Sequence, residues 1–151
     1  LEGGRYLLYD NTVHVIEDTL YHQLLQDPGF FVSPRLFNED TRLTGIQYPD
    51  FELRKQDERW IQSGGLRKLS DEELDIITRT WAGLEAVGVN LSPAGSRDPD
   101  IVLHFESGEA IELTAESNST GLILSRTEPR LDYRFSRQTG LALGIQPQAD
   151  E

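Results

Sequence analysis

Ile101-Val102-Leu103-His104-Phe105-Glu106-Ser107-Gly108-Glu109-Ala110-Ile111-Glu112-Leu113-Thr114 is the stretch that decides the fold. Ile101, Leu103 and Phe105 alternate with Val102 and His104, Ser107-Gly108 supplies a turn, and Ile111 and Leu113 then alternate with Glu112 and Thr114. Side chains of a strand point to opposite faces in turn, so this period makes one face apolar and the other wet. The pattern continues downstream. Gly121 leads into Leu122-Ile123-Leu124, then Leu131, Tyr133 and Phe135 alternate with Asp132 and Arg134. Thr139-Gly140 reads as another turn, with Leu141, Leu143 and Ile145 as a last strand. The last third is therefore expected to be an antiparallel meander with one buried face.

Upstream of it lies the clearest helix signal. Ser70-Asp71-Glu72-Glu73 has the form of a capping box, in which the serine oxygen takes an orphan N–H and the glutamate reaches back to the cap. Leu74, Ile77, Trp81, Leu84 and Val87 recur at three or four residues, one helical face, and Gly88 is the expected stop. Before the Gly64-Gly65 linker, Leu43 to Tyr48 and Phe51 to Lys55 read as strands around Pro49-Asp50. Asp57-Glu58 then turns the chain into Arg59-Trp60-Ile61-Gln62. The opening repeats this plan. Arg5 to Tyr9 and Val13 to Ile16 flank an Asp10-Asn11-Thr12 turn, and Asp18 or Thr19 caps a short helix with Leu20, Leu24 and Leu25 that stops at Pro28-Gly29. Phe30 to Phe37, interrupted by Pro34, reads as an irregular crossing segment.

The expectation is an α+β fold: two strand–strand–helix units followed by an antiparallel β-meander, with the helices covering one face of the sheet. Residues 1–151 are read as one domain with sub-units 5–29, 43–90 and 100–145, and with a polar, frayed tail over 146–151.

The 151 residues carry 26 acidic and 14 basic side chains, a net charge of −12. Such a field repels nucleic-acid phosphates and anionic lipid, and no basic stripe opposes it. It keeps a domain soluble and tolerates a basic partner surface or a cation. There is no cysteine, which excludes disulfides, thiolate metal sites and a cysteine nucleophile. No apolar run approaches the roughly 18 residues needed to span a membrane, and no signal peptide is visible. The chain begins Leu1-Glu2-Gly3-Gly4 and contains no methionine, so it is read as a fragment of a longer protein, and any targeting or membrane segment would belong to the missing part.

Chemistry-bearing motifs are weak. His14, His22 and His104 stand in no metal-ligand spacing, and His14 and His104 alternate with apolar neighbours, as wet-face strand residues do. Asp71, Glu72, Glu73 and Asp75 sit where a helix dipole favours negative charge, which is reason enough for them. Asp98-Pro99-Asp100 is turn chemistry, and neither cluster has the alternating ligands of a calcium loop. Nucleophile-elbow and phosphate-loop patterns are absent. Asn118-Ser119-Thr120 matches the glycosylation sequon but reads more simply as a loop. No catalytic, cofactor or metal residue is assigned, and no enzyme activity is expected. Trp60, Trp81, Phe105, Tyr133 and Phe135 fall at inward positions and are assigned to the core. Phe30, Phe31 and Val32 are the candidate partner surface, because an apolar run between a helix stop and Pro34 can be left partly exposed.

The order of these elements resembles the bacterial domain-of-unknown-function family numbered 4340. The resemblance rests on Val13-His14-Val15-Ile16-Glu17-Asp18-Thr19-Leu20 leading into a helix, on Arg35-Leu36, and on a strand ending at Trp60. It extends through the capped helix with Trp81 to Leu122, Glu128-Pro129 and Leu131-Asp132-Tyr133. It implies a domain whose parent protein is membrane-anchored, placed on the periplasmic side of a bacterial envelope and accessory to a transporter-like complex. It brings no catalytic residues. The leading expectation is a non-catalytic protein-interaction domain with a protein partner, no cofactor, no nucleic acid, and a membrane reached only through a segment outside this chain. The alternatives are a small-molecule or glycan binding domain and an enzyme of unfamiliar type.

Overall fold

The computed structural model describes residues 4–17, 32–92 and 98–146. The expected meander forms β7 (Ile101–Phe105), β8 (Ala110–Ser117), β9 (Leu122–Arg126) and β10 (Leu131–Phe135), paired antiparallel in sequence order. Register carries the alternation across the sheet. Leu103 faces Ile111, Ala115 faces Leu124, and Tyr133 faces Leu124, so these side chains share one side. His104, Glu112 and Asp132 lie on the other.

On one flank, β3 (Leu43–Gln47), β4 (Phe51–Gln56) and β5 (Arg59–Gly64) extend the sheet through β3 and β7, with Ile46 opposite Leu53 and Leu103. The β4–β5 turn places Asp57 and Glu58 at φ 46° and 65°, the two left-handed residues that a two-residue hairpin of matching twist requires. On the other flank, β6 (Gly88–Leu91) pairs with β10. The strand order is β5-β4-β3-β7-β8-β9-β10-β6. β1 (Gly4–Tyr9) and β2 (Thr12–Glu17) make a separate two-stranded antiparallel sheet.

The described residues contain two helices, α1 (Asp71–Ala82) and α2 (Arg137–Ala142). The capping box of α1 is complete. Ser70 Oγ accepts from the Glu73 N–H at 3.2 Å, and Glu73 Oε2 accepts from the Ser70 N–H at 2.8 Å. Leu74, Ile77 and Trp81 of α1 join Ile46, Leu53, Leu103, Leu113, Leu124 and Tyr133 in one apolar core. The mostly antiparallel α+β class expected from the sequence is what the chain adopts.

Three local expectations are corrected. The helix expected to reach Val87 stops at Ala82, with Gly83 as its cap, its N–H directed at Arg79 O. Leu84 is still buried, but Val87 is 81% exposed, because the chain has straightened to pair at the sheet edge. There the Ala86 N–H donates to Pro34 O and the Val87 N–H donates to Arg134 O. Second, Gly88 begins β6 rather than ending a helix. Third, Leu141, Leu143 and Ile145 are not a strand. Ser136 Oγ accepts from the Thr139 N–H at 3.1 Å and starts α2, so Leu141 is exposed while Leu143 is fully buried. Gly144, at φ 77°, ends that turn in a conformation that L side chains rarely adopt. The short helix expected over Leu20 to Leu25 and the tail from residue 147 lie outside the described residues.

Candidate functional site

Two features of the described residues are candidates for function: a pocket at one end of the large sheet and the face of the β1–β2 hairpin.

The pocket lies beside the β3–β4 turn. Pro49-Asp50 turns the chain there, and the Tyr48 N–H donates to Phe51 O at 2.8 Å, closing the hairpin. Closure stacks the Tyr48 and Phe51 rings, with centroids 4.3 Å apart and planes 16° apart. Ile101, Ala115 and Ser117 form the strand wall, and Gly144, Ile145 and Gln146 form the opposite side. The pocket volume is about 260 Å³. A second groove of about 440 Å³ shares Phe51 and Gly144 and runs between α1 and α2 past Leu66, Leu69, Ile76 and Leu141.

Tyr48 belongs to the frame of this pocket. Its hydroxyl donates to Leu143 O at 2.6 Å and accepts from Trp81 Nε1 at 2.8 Å. Burial holds its pKa far above the ordinary tyrosine value, against a smaller opposing effect of the Trp81 hydrogen bond. A phenol so buried and doubly bonded stays neutral, so Tyr48 positions elements and is not available as an acid or base. Two carboxylates stand at the mouth, Asp50 and Asp100. Asp100 is oriented by strand backbone: its Oδ2 accepts from the Ala115 N–H at 2.8 Å.

The hairpin face follows from its register. Tyr6 pairs with Val15 and Leu8 with Val13, which puts these four side chains on one side of the ribbon. They are 75%, 62%, 68% and 61% exposed, and Tyr9 is 72% exposed. Among the described residues β1 and β2 pair only with each other. A lone two-stranded ribbon is marginal in water, and a contiguous exposed apolar face on it is the kind of surface that partners cover.

Of the residues proposed from sequence as a partner surface, Val32 is half-buried and packs against the core, and Phe30 and Phe31 lie outside the described residues. The sequence reading missed the hairpin face. The signal for it was available, since the alternation of Tyr6, Leu8, Val13 and Val15 had no cover assigned other than one short helix. His14 is exposed on β2, and His104 lies on the open side of β7 opposite Gly45. His22 is outside the described residues. Among the described residues no group of three or more His, Asp and Glu side chains is placed to hold a metal ion. Asn118 is a turn residue: its Oδ1 accepts from the N–H groups of Thr120 and Gly121 at 2.9 and 3.1 Å.

No family model matches the chain, and neither a curated protein nor a solved structure matches it.

Proposed function

We propose that this chain is a non-catalytic protein-interaction domain of a bacterial envelope protein. The single observation that carries the reading is the β1–β2 face, where Tyr6, Leu8, Val13 and Val15 are all more than half exposed on one side of a hairpin that pairs with no other strand among the described residues. Burying such side chains contributes about 1.5–3 kcal/mol each, enough for this small face to anchor a partner. The resemblance to the bacterial family numbered 4340 supports the rest of the reading: a membrane-anchored parent protein, a periplasmic location and a role accessory to a transporter-like complex. In this plan strand–strand–helix units precede the meander and helices cover one side of the sheet. The approach of Gly140 in α2 to Leu122 of β9 supports that cover, since a Cβ on Gly140 would lie 3.3 Å from Leu122 Cβ.

The test is site-specific photocrosslinking in intact cells, with the crosslinking residue at Leu8 or Val13 and, as control, at Ile61 on the open sheet face. Discrete adducts from Leu8 and Val13 that are absent from Ile61 are expected. They are expected to disappear when Tyr6 and Val15 are changed to aspartate. No adduct, or the same adducts from all three positions, overturns the reading.

The pocket beside Tyr48 favours a second reading, in which the domain binds a small molecule.

A further inference from the structure

Arg126 breaks the inward row of β9. Leu122 and Leu124 of that row are buried, and the residues opposite Arg126 on the neighbouring strands, Leu113 and Leu131, are buried too. Register therefore turns the Arg126 side chain toward the core side of the sheet, where it is half-buried. There it lines a cavity of about 530 Å³ at the Phe105 and Ile111 ends of β7 and β8, away from the pocket beside Tyr48. That volume falls within the range of roughly 300–1,000 Å³ usual for small-molecule sites. Taking a guanidinium partly out of water is costly unless an acceptor meets it. Its donors lie in a planar fork that matches the two oxygens of a carboxylate.

The rest of the wall narrows the choice of ligand. Burial raises the pKa of the Tyr133 phenol, and the charge and hydrogen bond of Arg126 oppose that rise. The phenol therefore keeps its proton near neutral pH, and its O–H is a second donor on the cavity wall. Arg35 lines the cavity as well and shares its charge with Glu39. Glu109, whose Oε2 accepts from Ser107 Oγ at 3.3 Å, places a negative charge on the same wall. A ligand with one negative charge is thereby favoured over one with two. The remaining surface is apolar. Phe37 and Phe105 meet edge to face, with centroids 5.1 Å apart and planes at 61°, and Leu36, Ile111 and Leu131 continue it. The net charge of −12 opposes an anion at long range, but physiological salt screens it beyond about 8 Å, which leaves the local contact with Arg126 to decide.

We propose that this cavity binds a small monocarboxylate with an apolar body. The Arg126 fork takes the carboxylate, the Tyr133 hydroxyl donates to the same group, and the body lies against Phe37 and Phe105. The site is separate from the hairpin face and from the pocket beside Tyr48, and it depends on neither.

The experiment is an amide-resolved NMR titration of the chain at pH 7 and matched ionic strength with phenylacetate, hexanoate, phenylacetamide, phenethylamine and inorganic phosphate. Either carboxylate is expected to give saturable shifts centred on Ile111, Arg126 and Tyr133, with a Kd about tenfold below that of phenylacetamide or phosphate. Arg126→Gln is expected to weaken carboxylate binding about tenfold. Arg126→Lys, which keeps the charge but loses the fork, is expected to fall between that variant and the native chain. Tyr133→Phe is expected to weaken binding several-fold. Arg137→Gln, which removes equal charge from the start of α2, is expected to leave it unchanged. The spectrum itself shows whether each variant is folded. Failure of both carboxylates to saturate, equal or tighter binding of phenylacetamide, phenethylamine or phosphate, unchanged binding in Arg126→Gln, or equal weakening by Arg137→Gln overturns the proposal.

Discussion

Tyr48 ties three parts of the chain together through one oxygen: the end of β3, the Trp81 indole of α1, and the Leu143 carbonyl after α2. Replacing it with phenylalanine keeps the ring against Phe51 but leaves the indole N–H and the carbonyl unpaired in a dry core. Tyr48→Phe is expected to cost about 2–4 kcal/mol, read as a lower urea midpoint at unchanged m. The same residue sets a pH dependence. Its folded pKa is raised by burial above the value of 10.0 that applies in the unfolded chain. The stabilisation is thus fully present below that value. It is lost as pH rises further, because the unfolded chain gives up the phenolic proton first, at a slope of up to about 1.4 kcal/mol per pH unit. Tyr133 is shifted in the same direction by burial, partly offset by Arg126. Thermal unfolding between pH 9 and 11 is expected to decline more steeply in the native chain than in Tyr48→Phe, with Tyr133 leaving a residual slope in the variant. Equal slopes would show that the Tyr48 phenol is not protected.

Elements are held at their ends. Ser70 caps α1 through the Glu73 N–H, so Ser70→Ala is expected to cost about 1 kcal/mol in a denaturation midpoint. Gly121, which opens β9, matters for space: a Cβ there would lie 2.6 Å from the Phe135 carbonyl oxygen. Gly121→Ala is expected to cost about 1–3 kcal/mol, because β10 must move away from β9. This is also where the limits of sequence reading are clearest. The meander was legible because its alternation runs over several strands, and α1 because cap and periodicity agree. α2 was misread because Leu141, Leu143 and Ile145 fit period two, and a helix of 6 residues is too short to show its own. The contrary signals were Ser136 as a cap and Gly144 as a stop. β6 was invisible because its four residues, Gly88–Leu91, carry no alternation and are strand only because β10 needs an edge partner. The pocket was legible only as the alternative of a small-molecule or glycan binding domain, with no residues attached to it. It draws Asp50, Asp100, Ser117 and Gly144 from four separate stretches, and only tertiary register brings them together.

At the scale of the whole molecule two electrostatic effects oppose each other, and the sign of a salt titration decides between them. Ion pairs such as Lys55–Glu58, Arg67–Glu73 and Arg79–Asp75 lie at the surface, where solvent screens them and salt weakens them further. Their effect is visible in Glu58 and Glu73. The Lys55 ammonium and the Arg67 guanidinium, respectively, hold these carboxylates below the usual range. Against them stands the excess of 26 acidic over 14 basic residues, a net −12 confined to the folded volume and relieved when the chain expands. Repulsion among that many charges is summed over distances comparable with the Debye length of about 8–10 Å, so salt near physiological strength removes much of it. The few pairs do not outweigh a summed repulsion of this size. Raising sodium chloride from about 10 mM to about 300 mM is therefore expected to raise the unfolding temperature by about 2–4 °C, the shift that corresponds to roughly 1 kcal/mol in a chain of this length. A fall over the same range would mean that the surface pairs dominate. The acidity would then be organised as ion-pair networks, and the solvated excess charge that keeps phosphate backbones away would be smaller than the composition implies.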